Sequence, residues 1–106
     1  MIDYLASAVQ NGWISDLASK KSLELLFVLK SHIQDAKIDI GIGIDMGLMM
    51  VLDDGCNHLE FEIFENGKTE VFFLNRETNE MIDEDVGEDL NLSEAVIGKL
   101  KLFERG

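Results

Sequence analysis

The chain has 106 residues, 46% of them hydrophobic, with 21 acidic against 9 basic side chains and a net charge of -12. This length supports a single domain over residues 1–106, and the apolar content is too high for a disordered acidic tail. The negative charge disfavours nucleic acid and anionic membranes as direct partners, because both attract basic surfaces.

We expect a cytoplasmic protein that is held together by its core rather than by disulfides. Cys56 is the single cysteine and has no partner within the chain. The opening segment contains Asp3 and lacks the basic region of a secretory signal. The apolar run Leu25–Leu29 is far shorter than the roughly 20 residues that cross a bilayer, so no membrane partner is expected.

The negative charge is concentrated in the middle of the chain. Residues 1–37 contain four acids and four bases, whereas residues 38–98 contain 16 acids against only Lys68 and Arg76, for a net charge of -14. Residues 99–106 have a net charge of +2. Any electrostatic recognition should therefore involve the central part of the chain.

The first third of the chain predicts two helices. The first has helical spacing of its apolar residues before Asn11-Gly12, a pair that ends or bends helices; these residues are Tyr4, Leu5, Ala8 and Val9. The second begins at Ser15 or Ser19 and runs to about Ala36. Ser15 is favoured, because the lysines at 20 and 21 would oppose the helix dipole if the helix began at Ser19. Trp13 is expected to seal the junction of the two helices against the sheet.

From Lys37 the apolar period changes from 3.6 to 2, which predicts an antiparallel β-meander. The first strand alternates isoleucines with Asp and Gly; its isoleucines are Ile38, Ile40, Ile42 and Ile44. Further strands are expected at Leu48–Leu52, Leu59–Ile63 and Thr69–Leu74, with a fifth at Glu80–Asp83. The segment Asp83–Asp89 then reads as a solvated acidic connector.

The register of the hairpin at Asn66-Gly67 has two solutions. A two-residue turn would place Phe72 and Leu74 beside Phe61 and Leu59. A three-residue loop with a left-handed Gly67 would place Val71 and Phe73 there instead. In either register the opposite face of the sheet keeps large apolar groups, including Phe64, that need a cover. One layer of helices does not provide it, so the cover would be the C-terminal helix, a loop or another subunit. Of these we expect another subunit, in a homodimer.

The chain ends in a further predicted helix. Asn91 with Glu94 three residues later has the form of a capping box. One face of this helix is apolar and contains Leu92, Val96, Leu100 and Phe103.

The predicted fold is α+β, with N-terminal helices and a C-terminal helix packed on one face of a four- to five-stranded antiparallel β-meander. Strands that follow one another in sequence should be neighbours, because the turns are short. The predicted core consists of Leu25, Leu26, Leu29, Ile33, Ile40, Ile42, Leu59, Phe61, Ile63 and Leu100.

No complete catalytic, metal or cofactor site is recognisable. Cys56 and His58 share a strand face if the strand begins there, but the acidic neighbours of Cys56 would raise a thiol pKa. Asp83, Asp85, Gly87 and Glu94 have the spacing of a calcium loop but lack its central glycine. The Gly41-Ile42-Gly43 segment has no third glycine and no helix start, so phosphate binding is not expected.

The hairpin resembles one found in small bacterial proteins of mobile gene cassettes and toxin–immunity neighbourhoods. The likeness rests on His58–Lys68, with its Asn-Gly-Lys turn, and on Val71–Thr78, an aromatic strand ending in Asn-Arg-Glu-Thr. It covers the middle third to half of the chain. The resemblance implies N-terminal helices with an antiparallel meander, and it brings no catalytic residues.

The functional hypothesis is a non-enzymatic module that binds a basic protein, in the manner of an immunity protein or antitoxin. Its acidic and aromatic binding residues are predicted to be Glu60, Glu62, Phe64, Glu70, Phe72, Asp83 and Asp85. The alternatives are an enzyme or small-ligand binder with a carboxylate-lined pocket, and a purely structural homodimer.

Overall fold

The structure of the protein, a computed structural model, describes residues 7, 9–43 and 45–104. Its helices are α1 (Asp16–His32) and α2 (Glu94–Leu100), and a 3-10 turn (Lys101–Phe103) follows α2. Its strands are β1 (Asp39–Ile42), β2 (Leu48–Asp53), β3 (Asn57–Ile63), β4 (Thr69–Asn75) and β5 (Met81–Val86). The described chain is therefore α+β. None of its described helices has the length and apolar character needed to span a bilayer.

The five strands form one antiparallel sheet in the order β1-β2-β3-β4-β5, so each strand pairs with its neighbour in sequence, as predicted. The fifth strand extends to Val86, three residues beyond the predicted end, because it pairs along the length of β4 as far as Thr69. The first half of the acidic segment Asp83–Asp89 is thus strand and not connector. The backbone N–H and C=O groups of this part are satisfied by pairing with β4. The sequence pattern alone did not predict this pairing.

One face of the sheet, the inner face, forms the core with residues from both helices. Its fully buried strand residues are Leu48, Met50, Leu52, Leu59, Phe61, Ile63, Val71 and Phe73. Leu25 and Leu29 of α1 and Val96 and Leu100 of α2 join the same buried cluster. The sheet therefore has one covered face, and the residues between those of the inner face point away from the helices.

Seven of the ten predicted core residues are buried, and β1 accounts for most of the difference. Leu26 and Ile40 are only partly buried, and Ile42 is 44% exposed. β1 is an edge strand of four residues, so its side chains have a neighbouring strand on one side only. The alternating isoleucine pattern therefore predicted a strand correctly but overestimated its burial. Ile44 lies outside the described residues.

Helix α1 is capped by Ser15, whose Oγ accepts a hydrogen bond from the Ala18 N–H at 3.0 Å, so the earlier predicted start is confirmed. The helix ends at His32, four residues before the predicted end. Ile33 is already extended, and the next N–H, that of Gln34, donates to the Glu104 carboxylate at 2.9 Å. This contact with the C-terminal segment replaces continuation of the helix.

Two predictions concern the segment before α1. Trp13 is 50% exposed and does not seal the helix junction; the neighbouring Ile14, 1% exposed, is the buried residue there. Of the first predicted helix, Val9 is helical and packs against the core, whereas Tyr4, Leu5 and Ala8 lie outside the described residues.

The β3–β4 hairpin adopts the three-residue loop. Phe61 pairs with Val71, and Leu59 pairs with Phe73. The Phe64 N–H donates to the Lys68 carbonyl at 2.8 Å, and Gly67 has φ +85°. The left-handed glycine therefore selects the register that buries Val71 and Phe73.

The cap of α2 is Ser93 and not Asn91. Ser93 Oγ accepts from the Val96 N–H at 3.2 Å, while the Asn91 N–H donates to the Asp89 side chain at 3.0 Å. Leu90 has a positive φ of 56°, so the chain turns once more before the helix can begin. The predicted apolar face is confirmed, because Leu92, Val96, Leu100 and Phe103 are all buried.

Candidate functional site

The second face of the sheet, the outer face, is an ordered grid of side chains. Strand register aligns its residues in three rows that run across β2, β3, β4 and β5. The first row is Met49, Glu62, Glu70 and Asp85. The second row is Val51, Glu60, Phe72 and Asp83. The third row is Asp53, His58, Leu74 and Met81.

All seven residues that the sequence predicts for binding belong to this side of the sheet. Six of them lie in the first two rows: Glu60, Glu62, Glu70, Phe72, Asp83 and Asp85. The seventh, Phe64, follows β3 and lines a shallow groove of about 430 Å³ together with Glu70 and Lys68. Residues that are up to 25 positions apart in sequence thus share one surface.

The first row places three carboxylates on adjacent strands. Glu62 lies opposite Glu70, and Glu70 lies opposite Asp85. Neighbouring strands are about 4.8 Å apart, and like charges directly opposite one another destabilise a sheet. The five strands contain eight acids and no lysine or arginine, so no permanently charged strand cation compensates this row.

Glu62 experiences this crowding most directly. Partial burial raises its pKa above the ordinary value, and the charges of Glu60 and Glu70 raise it further. The negative charge of Glu62 is therefore less favourable in the folded chain than in water. A cation placed over the row would relieve this cost.

The outer face has no cover among the described residues. Every strand residue in the three rows is half-buried or exposed, and none is fully buried. Apolar side chains nevertheless occur between the acids. Phe72 lies between Glu60 and Asp83 in its row, and Val51 lies on the other side of Glu60. The face therefore combines acidic groups with an aromatic ring that is open to solvent.

A small depression marks the centre of this face. It has a volume of about 130 Å³ and is lined by Glu60, Glu62, Glu70, Phe72 and Asp83, with Val71 beneath. Pockets for small molecules usually enclose roughly 300–1,000 Å³. The depression has the dimensions of a side chain rather than of a substrate.

At one end of the face, Arg76 joins the β2–β3 turn to the β4–β5 turn. Its guanidinium donates to both carboxylate oxygens of Asp53, at 3.0 and 2.7 Å, and to the Gly55 carbonyl at 3.1 Å. The Arg76 N–H also donates to the Cys56 carbonyl at 2.8 Å. The bonds from Arg76, with those from His58 and the Gly55 N–H, hold the pKa of Asp53 well below its usual range.

His58 lies between two carboxylates in the same region. Its Nδ1 is 2.8 Å from Asp53 Oδ2, and its Nε2 is 3.2 Å from Glu60 Oε1. The Asp53–His58–Arg76 cluster was not predicted from sequence. The signal that could have revealed it is topological, since an antiparallel meander brings its second and fourth turns to the same end of the sheet.

The described residues do not assemble the Cys–His pair or the calcium loop that the sequence raised as alternatives. Both ring nitrogens of His58 are engaged by acids and not by Cys56, which is half-buried. The calcium-like segment cannot form a loop, because Asp83 and Asp85 are part of β5. Within residues 7, 9–43 and 45–104, no cluster of three or more His, Cys, Asp or Glu side chains could hold a metal ion.

A second concave surface lies between α1 and the β3–β4 hairpin. This groove has a volume of about 520 Å³, and its charged lining is mixed: Lys20, Lys21, Glu24, Lys68 and Glu88. Lys21 Nζ is 3.3 Å from the Glu24 carboxylate and donates to the Glu88 carbonyl at 3.0 Å. The groove is therefore not the carboxylate-lined pocket that the alternative hypothesis requires.

No protein family, curated protein or solved structure was found to match this chain. Its functional assignment rests on its own residues and their geometry.

Proposed function

We propose that this protein is a non-enzymatic protein-binding module whose outer face recognises a basic partner. The observation that carries the proposal is the row Glu62, Glu70 and Asp85, three carboxylates side by side with no lysine or arginine in any strand. A fold gains nothing in stability from this row. A cationic partner that neutralises the row would offset this cost.

The second row supports a protein partner over a free cation. Phe72 lies between Glu60 and Asp83, so an apolar contact is available beside two charged ones. Interface centres commonly combine an aromatic anchor with surrounding polar groups. The complementary surface would carry arginine or lysine side chains on either side of an apolar residue, which fits the depression of about 130 Å³.

Within this class, we favour an immunity-like or antitoxin-like role in the cytoplasm. A dense negative field accelerates capture of a basic protein, which suits an inhibitor that must act before its target does. The resemblance of the hairpin to proteins of mobile gene cassettes and toxin–immunity neighbourhoods agrees with this role. The lone Cys56 agrees with a reducing compartment.

The two alternatives receive less support from the same surface. An enzyme or small-ligand binder needs its carboxylates inside an enclosed pocket, whereas those of the outer face line only a small depression. A purely structural homodimer that used the outer face would bring the acidic row of one copy against that of the other. Repulsion between these rows disfavours such a dimer.

The test is capture of host proteins on immobilised full-length protein, followed by mass spectrometry. We expect a basic protein to be retained at low ionic strength and released as salt rises, because exposed charges are screened. Retention that does not depend on salt would contradict the proposal.

A pair of matched double variants locates the binding surface. Glu62→Gln with Glu70→Gln removes two charges from the outer face. Glu77→Gln with Glu88→Gln removes two charges from exposed positions outside the three rows. Both variant proteins have the same net charge, so a difference in retention reports the position of the removed charges. We expect only the outer-face variant to lose the captured partner. Equal retention by the two variants would reject the outer face as the binding surface.

A further inference from the structure

The two edges of the sheet differ sharply in charge. The β5 edge contains Asp83, Glu84 and Asp85, which discourage the addition of another strand. The β1 edge contains one acid, Asp39, whose Oδ1 lies 3.7 Å from Lys37 Nζ. The β1 edge is therefore close to neutral, although the protein as a whole carries -12.

The β1 edge presents hydrogen-bonding groups in a defined pattern. The Gly43 N–H donates to the Gly47 carbonyl at 2.9 Å, so the backbone groups of Gly43 point toward β2. Residues alternate in an antiparallel strand, so those of Gly41 also point toward β2, while those of Ile40 and Ile42 point outward. Two N–H and two C=O groups thus line the edge of β1 with which no other described strand pairs.

The side chains of this edge are apolar and incompletely covered. Ile40 is half-buried, and Ile42 is 44% exposed although both lie on the inner-face side of the strand. Gly41 lies between them, has no positive φ, and has no atom within 4 Å of the place where a Cβ would stand. Glycine weakens a strand interior, so the fold of a single copy does not account for Gly41.

We propose that a second copy of this chain pairs with the β1 edge, in antiparallel orientation about a two-fold axis at Gly41. Ile40 of each copy then exchanges two backbone hydrogen bonds with Ile42 of the other, which gives four bonds in all. The Ile40 and Ile42 side chains of the two copies meet on the inner-face side and cover the exposed part of Ile42. The two sheets become one sheet of ten strands.

The low charge of the β1 edge favours a second copy of this chain over a basic protein as its partner. A basic partner gains little from β1, because Asp39 is already paired with Lys37. A second copy places Asp39 opposite Gly43 of its partner in this register, so no like charges face each other across the seam. The outer faces remain open on the same side of the joined sheet. The pairing is thus independent of the proposed function.

The first test measures the mass of the full chain by sedimentation equilibrium. We expect twice the protomer mass for the wild type and the protomer mass for Ile42→Lys, since a lysine at an exposed edge position blocks strand addition. Met81→Lys makes the matched change at an exposed position of β5 and should leave the dimer intact. A monomeric wild type, or a dimer that survives Ile42→Lys, would overturn the pairing.

The second test keeps the proposal decidable even if Ile42→Lys does not fold. In a Cys56→Ser background, Gly41→Cys places two thiols opposite each other at a closely spaced pair, within reach of a disulfide. Asp39→Cys places its two thiols four residues apart along the seam, which is too far. Mild oxidation should therefore link Gly41→Cys into covalent dimers and leave Asp39→Cys unlinked. Failure of Gly41→Cys to link, or equal linking of both, would refute this register.

Discussion

Glu62 and Glu70 lie directly opposite each other on β3 and β4, with no lysine or arginine in either strand. Cross-strand pairs usually stabilise a sheet, and this pair opposes it. The third carboxylate of the row, Asp85, extends the same pattern to β5. The outer face is thus a part of the fold where charge opposes stability, and the proposed binding surface lies there.

Replacing Glu62 with Gln should stabilise the protein. The pKa of Glu62 is raised by burial and by Glu60 and Glu70, so its ionisation subtracts from the free energy of unfolding. Removing the charge should add about 0.5 kcal/mol at about pH 7, measured by urea unfolding.

The pH dependence identifies the cause. The penalty is absent below the unfolded pKa of 4.5 and grows as the pH rises through the raised folded value. The two proteins should therefore converge at about pH 4. Glu77→Gln, in the exposed β4–β5 turn, serves as the control and should change little. A Glu62→Gln protein less stable than wild type at neutral pH would contradict this account.

Removing the Arg76 guanidinium should destabilise the sheet in a pH-dependent manner. Arg76 and His58 hold the pKa of Asp53 low, so Asp53 contributes stability above its unfolded pKa of 3.8, and that contribution is lost as the pH falls through the lower folded value. We expect Arg76→Met to lower the thermal midpoint at neutral pH. The difference from wild type should shrink in strong acid, and a constant difference would assign the effect to packing.

Capping of α1 can be tested with two serines four positions apart. Ser15→Ala removes the bond to the Ala18 N–H and the 2.6 Å bond to the Glu65 carbonyl, so it should cost about 1 kcal/mol. Ser19→Ala falls inside the helix and should be neutral or slightly stabilising. Urea unfolding of both variants gives the comparison, and equal effects would mean that the cap contributes nothing.

The left-handed conformation of Gly67 predicts a penalty for a side chain at that position. With φ +85°, Gly67→Ala should reduce the free energy of unfolding by about 1 kcal/mol. Gly98→Ala is the opposite case, because Gly98 is helical and a Cβ there meets no neighbouring atom. That change should stabilise by about 0.5 kcal/mol. Calorimetric midpoints that move in the same direction for both variants would contradict this reasoning.

Local patterns were sufficient to predict the sheet and the start of α1. Alternation of apolar and polar residues indicated β1 and β3, a short apolar run indicated β2, and the turns after β3 and β4 indicated the last two strands. The dipole argument distinguished Ser15 from Ser19. The seven predicted binding residues share one side of the sheet because the three-residue loop puts Glu70 and Phe72 on the face of Glu60 and Glu62. The sequence alone left that register open. The sequence was therefore informative about features that depend on a single strand or helix.

The structure differs from the sequence predictions where segments distant in sequence come into contact. Met81–Val86 is longer than predicted because β4 offers it a full ladder, and Ser93 replaces Asn91 as a cap because the chain turns at Leu90. The Asp53–Arg76 contact joins residues that are 23 positions apart. Such contacts depend on the assembled meander, and no short stretch of sequence encodes them.

The bonds of Arg76 to Asp53 and to the Gly55 carbonyl have a consequence for binding kinetics. They join the β2–β3 turn to the β4–β5 turn, so they restrain that end of the sheet. A partner would meet a surface that is already organised and would lose little conformational entropy on docking. Removing these bonds of Arg76 should therefore lower the association rate of a partner, although every carboxylate of the rows is still present.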